Sequence, residues 1–249
     1  MELLSLSVAD AAWLAAIAFV AGIVRGFTGF ALSAVVMVVA VLILPPVELI
    51  PMLWWLEMVA SLLMVRAGWR EADRRLALGL VVGSGIGLPL GLWLTLSLSA
   101  ESSALIALSL IAALALAQLL RLRLAFLDTR PGLLGAGLAA GVTTGLSAAG
   151  GMVVALYVLV IDRTARVVRA SLVLYLFTAL CVGFFTHVAV GTMDAEAVAR
   201  GLAFAIPTAL GVVLGKALFI PKYEPFYKPV CLILLISVAG IGIARDLLT

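Results

Sequence analysis

Apolar runs of membrane-spanning length recur along almost the whole of this chain. A helix needs about 20 predominantly apolar residues to cross a bilayer, and repeated runs of that kind leave few folds open. Of the 249 residues, 65% are hydrophobic and only 12% are charged, with a mean hydropathy of +1.29. A soluble domain keeps roughly 25% charged residues on its surface. The strands of a membrane barrel would alternate polar and apolar residues, and these runs do not. The chain therefore reads as an all-α polytopic membrane protein. Its N-terminus, MELLSLSVADAAW, lacks the basic region of a cleavable signal. The net charge of +3 does not indicate nucleic acid, because the arginines and lysines fall mostly in short loops, where they mark the cytoplasmic side. Cys181 and Cys231 sit inside apolar runs. Their spacing suits neither a metal site nor a disulfide, and both read as buried small apolar residues.

Six ordinary spans are expected, at roughly 49–65, 77–97, 101–120, 168–187, 198–218 and 229–245. Two further apolar stretches, 12–44 and 132–161, are long for one helix and short for two crossings, and glycines interrupt each. Charge helps to choose between the options. If the loop Arg66–Arg75, with its four arginines, faces the cytoplasm, so do Arg121, Arg123 and Arg130. A single span at 132–161 would then export Arg163, Arg166, Arg169, Lys222 and Lys228 and bring Asp194 and Glu196 inside. That inverts the usual bias. A re-entrant or broken helix pair that returns to its own side removes the conflict, and leaves Glu2, Asp10, Glu48 and both termini outside. One long, tilted helix in each place is the competing reading.

The chain also resembles itself. Gly22, Gly26 and Gly29 have a spacing of four then three, and Gly141, Gly145 and Ala148 repeat it 119 residues later. Valine-rich helix follows both copies, and Gly87 and Gly91 match the spacing of Gly211 and Gly215. Such pairs alone indicate only close helix packing; the order of features says more. Residues 1–125 and 126–249 are read as two transmembrane repeats, each a glycine-interrupted pair plus three spans. One pair enters from outside and the other from inside, so the repeats have inverted topology. Inverted repeats with interrupted helices are a common design of secondary transporters.

The chemistry at the breaks follows from helix termini. A helix start carries free N–H groups and partial positive charge, and so suits an anion. The second helix of each pair should begin near 29–33 and 147–151. Gly26, Gly29, Gly145 and Gly150 let the backbone turn there, while Thr28, Ser33, Thr143, Thr144 and Ser147 offer hydroxyls. Arg25 is the most costly residue to place in lipid. It either contacts substrate, pairs with Glu48 or Glu57, or reaches an aqueous vestibule. Glu57, inside MLWWLEMVASLL, either carries a coupling proton or closes the fold by pairing. Lys216 is expected to reach toward an interface, and His187 to sit at an outer helix end. Trp54, Trp55 and Tyr175 either line the pathway or pack. Pro51 lies near the start of its span, Pro89 and Pro207 lie within theirs, and IPKYEPFYKP at 220–229 reads as a tether.

GIVRGFTGFALSAV from Gly22 and GVTTGLSAAGGMVV from Gly141 resemble the paired motifs of the sulfite exporter TauE/SafE family, also called the four-toluene-sulfonate uptake family. The resemblance runs over nearly the whole chain. The first copy departs from the family pattern, with Phe30 and Ala31 where glycines usually cluster. The resemblance implies a bacterial inner-membrane permease, not an enzyme, for a small sulfur-containing anion such as sulfite or an organosulfonate. The sequence shows no zinc-ligand cluster, and neither a metal nor a cofactor is expected. The two halves would rock about the breaks, with protons as a coupling partner and the lipid bilayer as surroundings. An anion channel and an uptake permease are the alternatives.

Overall fold

A computed structural model describes residues 6–122, 129–158, 165–218, 232–233, 235–237 and 239–244. The connector 220–229 and Cys231 lie outside the described residues. Among the described residues the fold is helical and contains no strand. The helices are α1 (Val8–Thr28), α2 (Leu32–Ala40), α3 (Pro46–Glu71), α4 (Arg74–Ser97), α5 (Ala100–Leu119), α6 (Arg130–Ser147), α7 (Gly150–Tyr157), α8 (Ala165–Val190) and α9 (Ala195–Ala217). A last helical segment lies within Leu235–Ala244.

Among the described residues, six helices are long and apolar enough to cross a membrane: α1, α3, α4, α5, α8 and α9. Five coincide with the expected spans between residues 49 and 218; the expected span 229–245 is described only in part. The stretch 12–44 divides unequally, into a 21-residue α1 that is itself of membrane length and a nine-residue α2. Cys181 is exposed, not buried, because it faces away from the other helices on a surface shared with Val182 and Phe185.

The helix starts fall into two classes. Ser7, Asp73, Ser99, Thr129 and Asp194 each accept a hydrogen bond from a first-turn N–H of their own helix, the usual cap. The two short helices have no such cap, since Ala31 and Ala149 stand at the cap positions. The helices before them end alike. Gly29 closes α1 with φ 85° and bonds back to the Arg25 carbonyl; Ala148 closes α6 with φ 55° and bonds back to Thr144. Each is the left-handed turn that commonly ends a helix.

Residue pairs give the helix directions. Gly22 sits on Thr208 and Gly211, and Gly26 on Val212 and Gly215, so α1 and α9 run parallel. Glu48 meets Arg200 and Leu63 meets Lys216, so α3 runs parallel to α9. Gly83 packs on Leu134 and Gly137, Gly87 on Gly141, and Gly91 on Gly145; α4 and α6 are parallel. Ser84 meets Tyr175 and Leu88 meets Gly183, which aligns α8 with α4. Asp73, just past α3, meets Ser171, while Trp54 meets Leu180; α3 and α8 are therefore antiparallel. Thus α1, α3 and α9 point one way, and α4, α6 and α8 the other.

Because α1 and α3 share a direction, the chain doubles back between them. The same holds between α6 and α8. At the second break Gly150 lies against the Ala140 carbonyl, although a continuous helix would separate those residues by about 15 Å. The α1–α9 and α4–α6 contacts are the most extensive between helices. Glycine makes them possible, because a Cβ at Gly22 would stand 2.5 Å from the Thr208 carbonyl oxygen. Without water to exclude, such close packing and its dispersion energy hold membrane helices together.

Candidate functional site

The first break is organised by a buried ion pair. Arg25, on the last turn of α1, has no exposed surface. Its Nη1 donates to the Gly29 carbonyl and its Nη2 donates to the Ser61 hydroxyl over 3.1 Å. Its Nε lies 3.3 Å from Glu57 Oε2. The other carboxylate oxygen, Oε1, accepts from the Ser33 backbone N–H at 3.2 Å and from the Ser33 hydroxyl at 2.8 Å. Ser33 is the second residue of α2. Glu57 thus caps α2 from α3, in place of the side chain that Ala31 does not have. Arg169 of α8 also reaches this turn, donating to the Gly26 carbonyl over 2.6 Å. Burial of two charges is costly, and is offset here by their mutual attraction and by these hydrogen bonds.

Among the described residues no carboxylate stands at the start of α7. The ion-pair positions, advanced by the 119-residue repeat, fall on Thr144 and Leu176. The Thr144 hydroxyl donates to the Ala140 carbonyl over 2.7 Å, and Leu176 packs against Gly151. The charged arrangement is therefore one-sided.

A cavity of about 60 Å³ joins the two breaks. Ala31 and Ser33 line it from the first, and Ala148, Ala149 and Gly151 from the second. Its polar groups are Ser33, Glu57, Ser84, Thr144, Tyr175 and His187. The Tyr175 hydroxyl donates to Ser84 over 3.2 Å. Trp54 forms part of the wall and donates through Nε1 to the Leu180 carbonyl over 3.1 Å. His187 is 2% exposed and bonds Thr192 at 2.8 Å. It sits within the bundle because α8 continues past it to Val190.

The residues singled out from sequence separate accordingly. Ser33, Glu57 and Thr144 reach the cavity; Arg25 lies behind Glu57 as its partner. Thr28 turns onto its own chain, within 2.8 Å of the Val24 carbonyl and 2.7 Å of the Phe30 carbonyl. Gly26 and Gly145 lie in the α1–α9 and α4–α6 contacts. Gly29 forms the turn, Gly150 packs on Ala140, and Ser147 bonds the Thr143 carbonyl over 3.0 Å. None of Thr28, Thr143 or Ser147 lines the cavity. Lys216 donates to the Leu63 carbonyl over 2.8 Å while remaining exposed.

Sequence reasoning passed over Ser84, Ser61 and Arg200, and counted Arg169 only as a loop charge. Ser84 carried a usable signal, its position between two glycines in VVGSGIG. Arg200 is 3% exposed and holds Glu48 and Glu196 at 2.5 Å each. It ties the start of α9 to the start of α3.

Membrane-length helices, packed around an internal cavity that the breaks after α1 and α6 both face, define a multi-pass helical membrane protein. A family model described as Sulfite exporter TauE/SafE matches residues 14–241. The chain belongs to that family of membrane transporters. Searches of curated proteins and of solved structures found no match.

Proposed function

We propose that this chain is a secondary transporter of the bacterial inner membrane that exports a small sulfur-containing anion, sulfite or an organosulfonate, by alternating access. The observation that carries this reading is the meeting at one cavity of two helix starts whose own cap residues, Ala31 and Ala149, offer no side-chain cap. The N-terminal N–H groups of α7 supply donors, and Ser33 and Arg25, once released from Glu57, supply a hydroxyl and a positive charge. Together they suit a compact anion with several acceptor oxygens. The family's description supports the substrate class and the direction.

The halves act as inverted repeats with re-entrant pairs. Exchanging α1 with α6, α3 with α8 and α4 with α9 converts each set of parallel helices into the other, which supports that reading. The arginine-rich link around Arg70, Arg74 and Arg75 faces the cytoplasm, and Glu48, Asp194 and Glu196 face outward. Glu57 is the proton-coupling residue, since it is the carboxylate that lines the cavity.

The test is flux in sealed proteoliposomes, with sulfite, sulfoacetate, isethionate, taurine, thiosulfate and sulfate compared with and without a pH gradient. Saturable flux with counterflow is expected for sulfite or a sulfonate. Unitary currents would make the protein a channel, and no flux of any of these anions would overturn the assignment.

A further inference from the structure

We infer that the Glu57 carboxylate is a built-in occupant of the anion site at the start of α2, and that substrate binds there only as Glu57 takes up a proton. This inference rests on the proposed function. Glu57 already makes the contacts that an anion would make at that helix start: the Ser33 N–H, the Ser33 hydroxyl and the Arg25 guanidinium. Both Ser33 and Glu57 line the cavity, so an anion entering it meets a site filled by the protein's own carboxylate. The α7 start faces the same cavity through Gly151 and has no side-chain cap. An anion can therefore dock on α7 while α2 is still occupied.

Two like charges cannot share one small cavity at low cost. The step balances simply. A proton from water joins a Glu57 oxygen, the neutral acid withdraws from Arg25 and Ser33, and the substrate anion becomes the counter-ion of Arg25. Net charge in the site is then the same before and after binding. The reverse order, with Glu57 deprotonating and returning to α2, expels the anion.

Among the described residues the surroundings leave Glu57 as the group that makes this exchange. Facing the cavity with it are Tyr175 and His187 from α8, and the non-titrating Ser33, Ser84 and Thr144 from α2, α4 and α6. Arg25 comes from α1. Arg169 of α8 reaches the Gly26 carbonyl instead, and Arg200 and Lys216 of α9 engage Glu48 and Leu63 toward the two ends of α3. His187 is engaged with Thr192. On α5, Glu101 and Arg121 stand at opposite ends of the helix.

The experiment uses the full chain in detergent with isethionate, whose sulfonate stays monoanionic at working pH and so adds no titration of its own. Binding to the unaltered protein in weak buffer should take up about one proton per anion. Affinity should fall about tenfold per pH unit wherever Glu57 is ionised when empty and protonated when occupied. Glu57→Gln should bind isethionate at least tenfold more tightly at pH 8, without proton uptake and with a flat pH profile. Saturable binding to the unaltered protein without proton uptake overturns the inference, and needs no variant to fold. Proton uptake retained in Glu57→Gln overturns it as well. Absence of saturable isethionate binding at every pH also overturns it, while persistent sulfite flux in vesicles would leave the proposed function standing.

Discussion

The Thr95 hydroxyl donates to the Gly145 carbonyl over 2.7 Å, fastening α4 to α6 beside the contact of Gly91 with Gly145. A Cβ at Gly145 would stand 2.5 Å from the Gly91 carbonyl carbon and 2.6 Å from its Cα. Backbone cannot rotate away as a side chain can. Gly145→Ala should therefore cost about 1–3 kcal/mol, and Gly145→Val more, read as a lower melting temperature of purified protein. An unchanged melting temperature for both would mean that α4 and α6 separate freely.

Arg25 and Glu57 should behave as a coupled pair. Arg25→Gln leaves the Glu57 carboxylate buried without its cation, and should cost about 3–5 kcal/mol. The double change Arg25→Gln with Glu57→Gln removes both charges and should recover most of that loss. A double-mutant cycle on thermal stability measures it. Simple additivity would show that the pair contributes no mutual stabilisation.

Ala148 ends α6 with φ 55°, where Gly29 ends α1. A left-handed conformation costs a residue with a Cβ roughly 1–2 kcal/mol, partly offset by the extra freedom glycine gives the unfolded chain. Ala148→Gly should thus stabilise the protein by about 0.5–1 kcal/mol. A fall in melting temperature would show that the Ala148 methyl group, which faces the cavity, contributes more by packing than it costs in strain.

The shared direction of α1 and α3 predicts a labelling pattern. In a background lacking Cys181 and Cys231, single cysteines at Ser7, Val47 and Thr192 should react with an impermeant maleimide added outside intact cells. Cysteines at Ala72 and Leu122 should react only after permeabilisation. Protection of Val47 but not Ser7 would mean that the chain crosses the membrane between them.

Much of the helical layout was legible because membrane length and apolar run are nearly the same thing. The breaks were legible too: α2 begins at Leu32 and α7 at Gly150, within the expected windows 29–33 and 147–151. What the glycines do was not. A four-residue glycine spacing serves a hinge and a helix contact equally well. Gly22, Gly26, Gly141 and Gly145 proved to lie in contacts before the turns. The partner of Arg25 was equally hidden, because Glu48 and Glu57 both lie within α3 and only folding selects between them. Arg200 was passed over although Glu196 stands four residues before it, and nothing local announces its second carboxylate, Glu48.

The glycine seams have a consequence for how the molecule is put together. The first helix of each half is fastened to the other half, α1 to α9 and α6 to α4. A polypeptide cut between residues 122 and 129 would yield two fragments, each missing the surface on which its own leading helix lies. The fragments would have to assemble by exchanging arms. In the proposed rocking cycle the moving bodies would be not the two stretches of sequence but the two fastened pairs, each built from both.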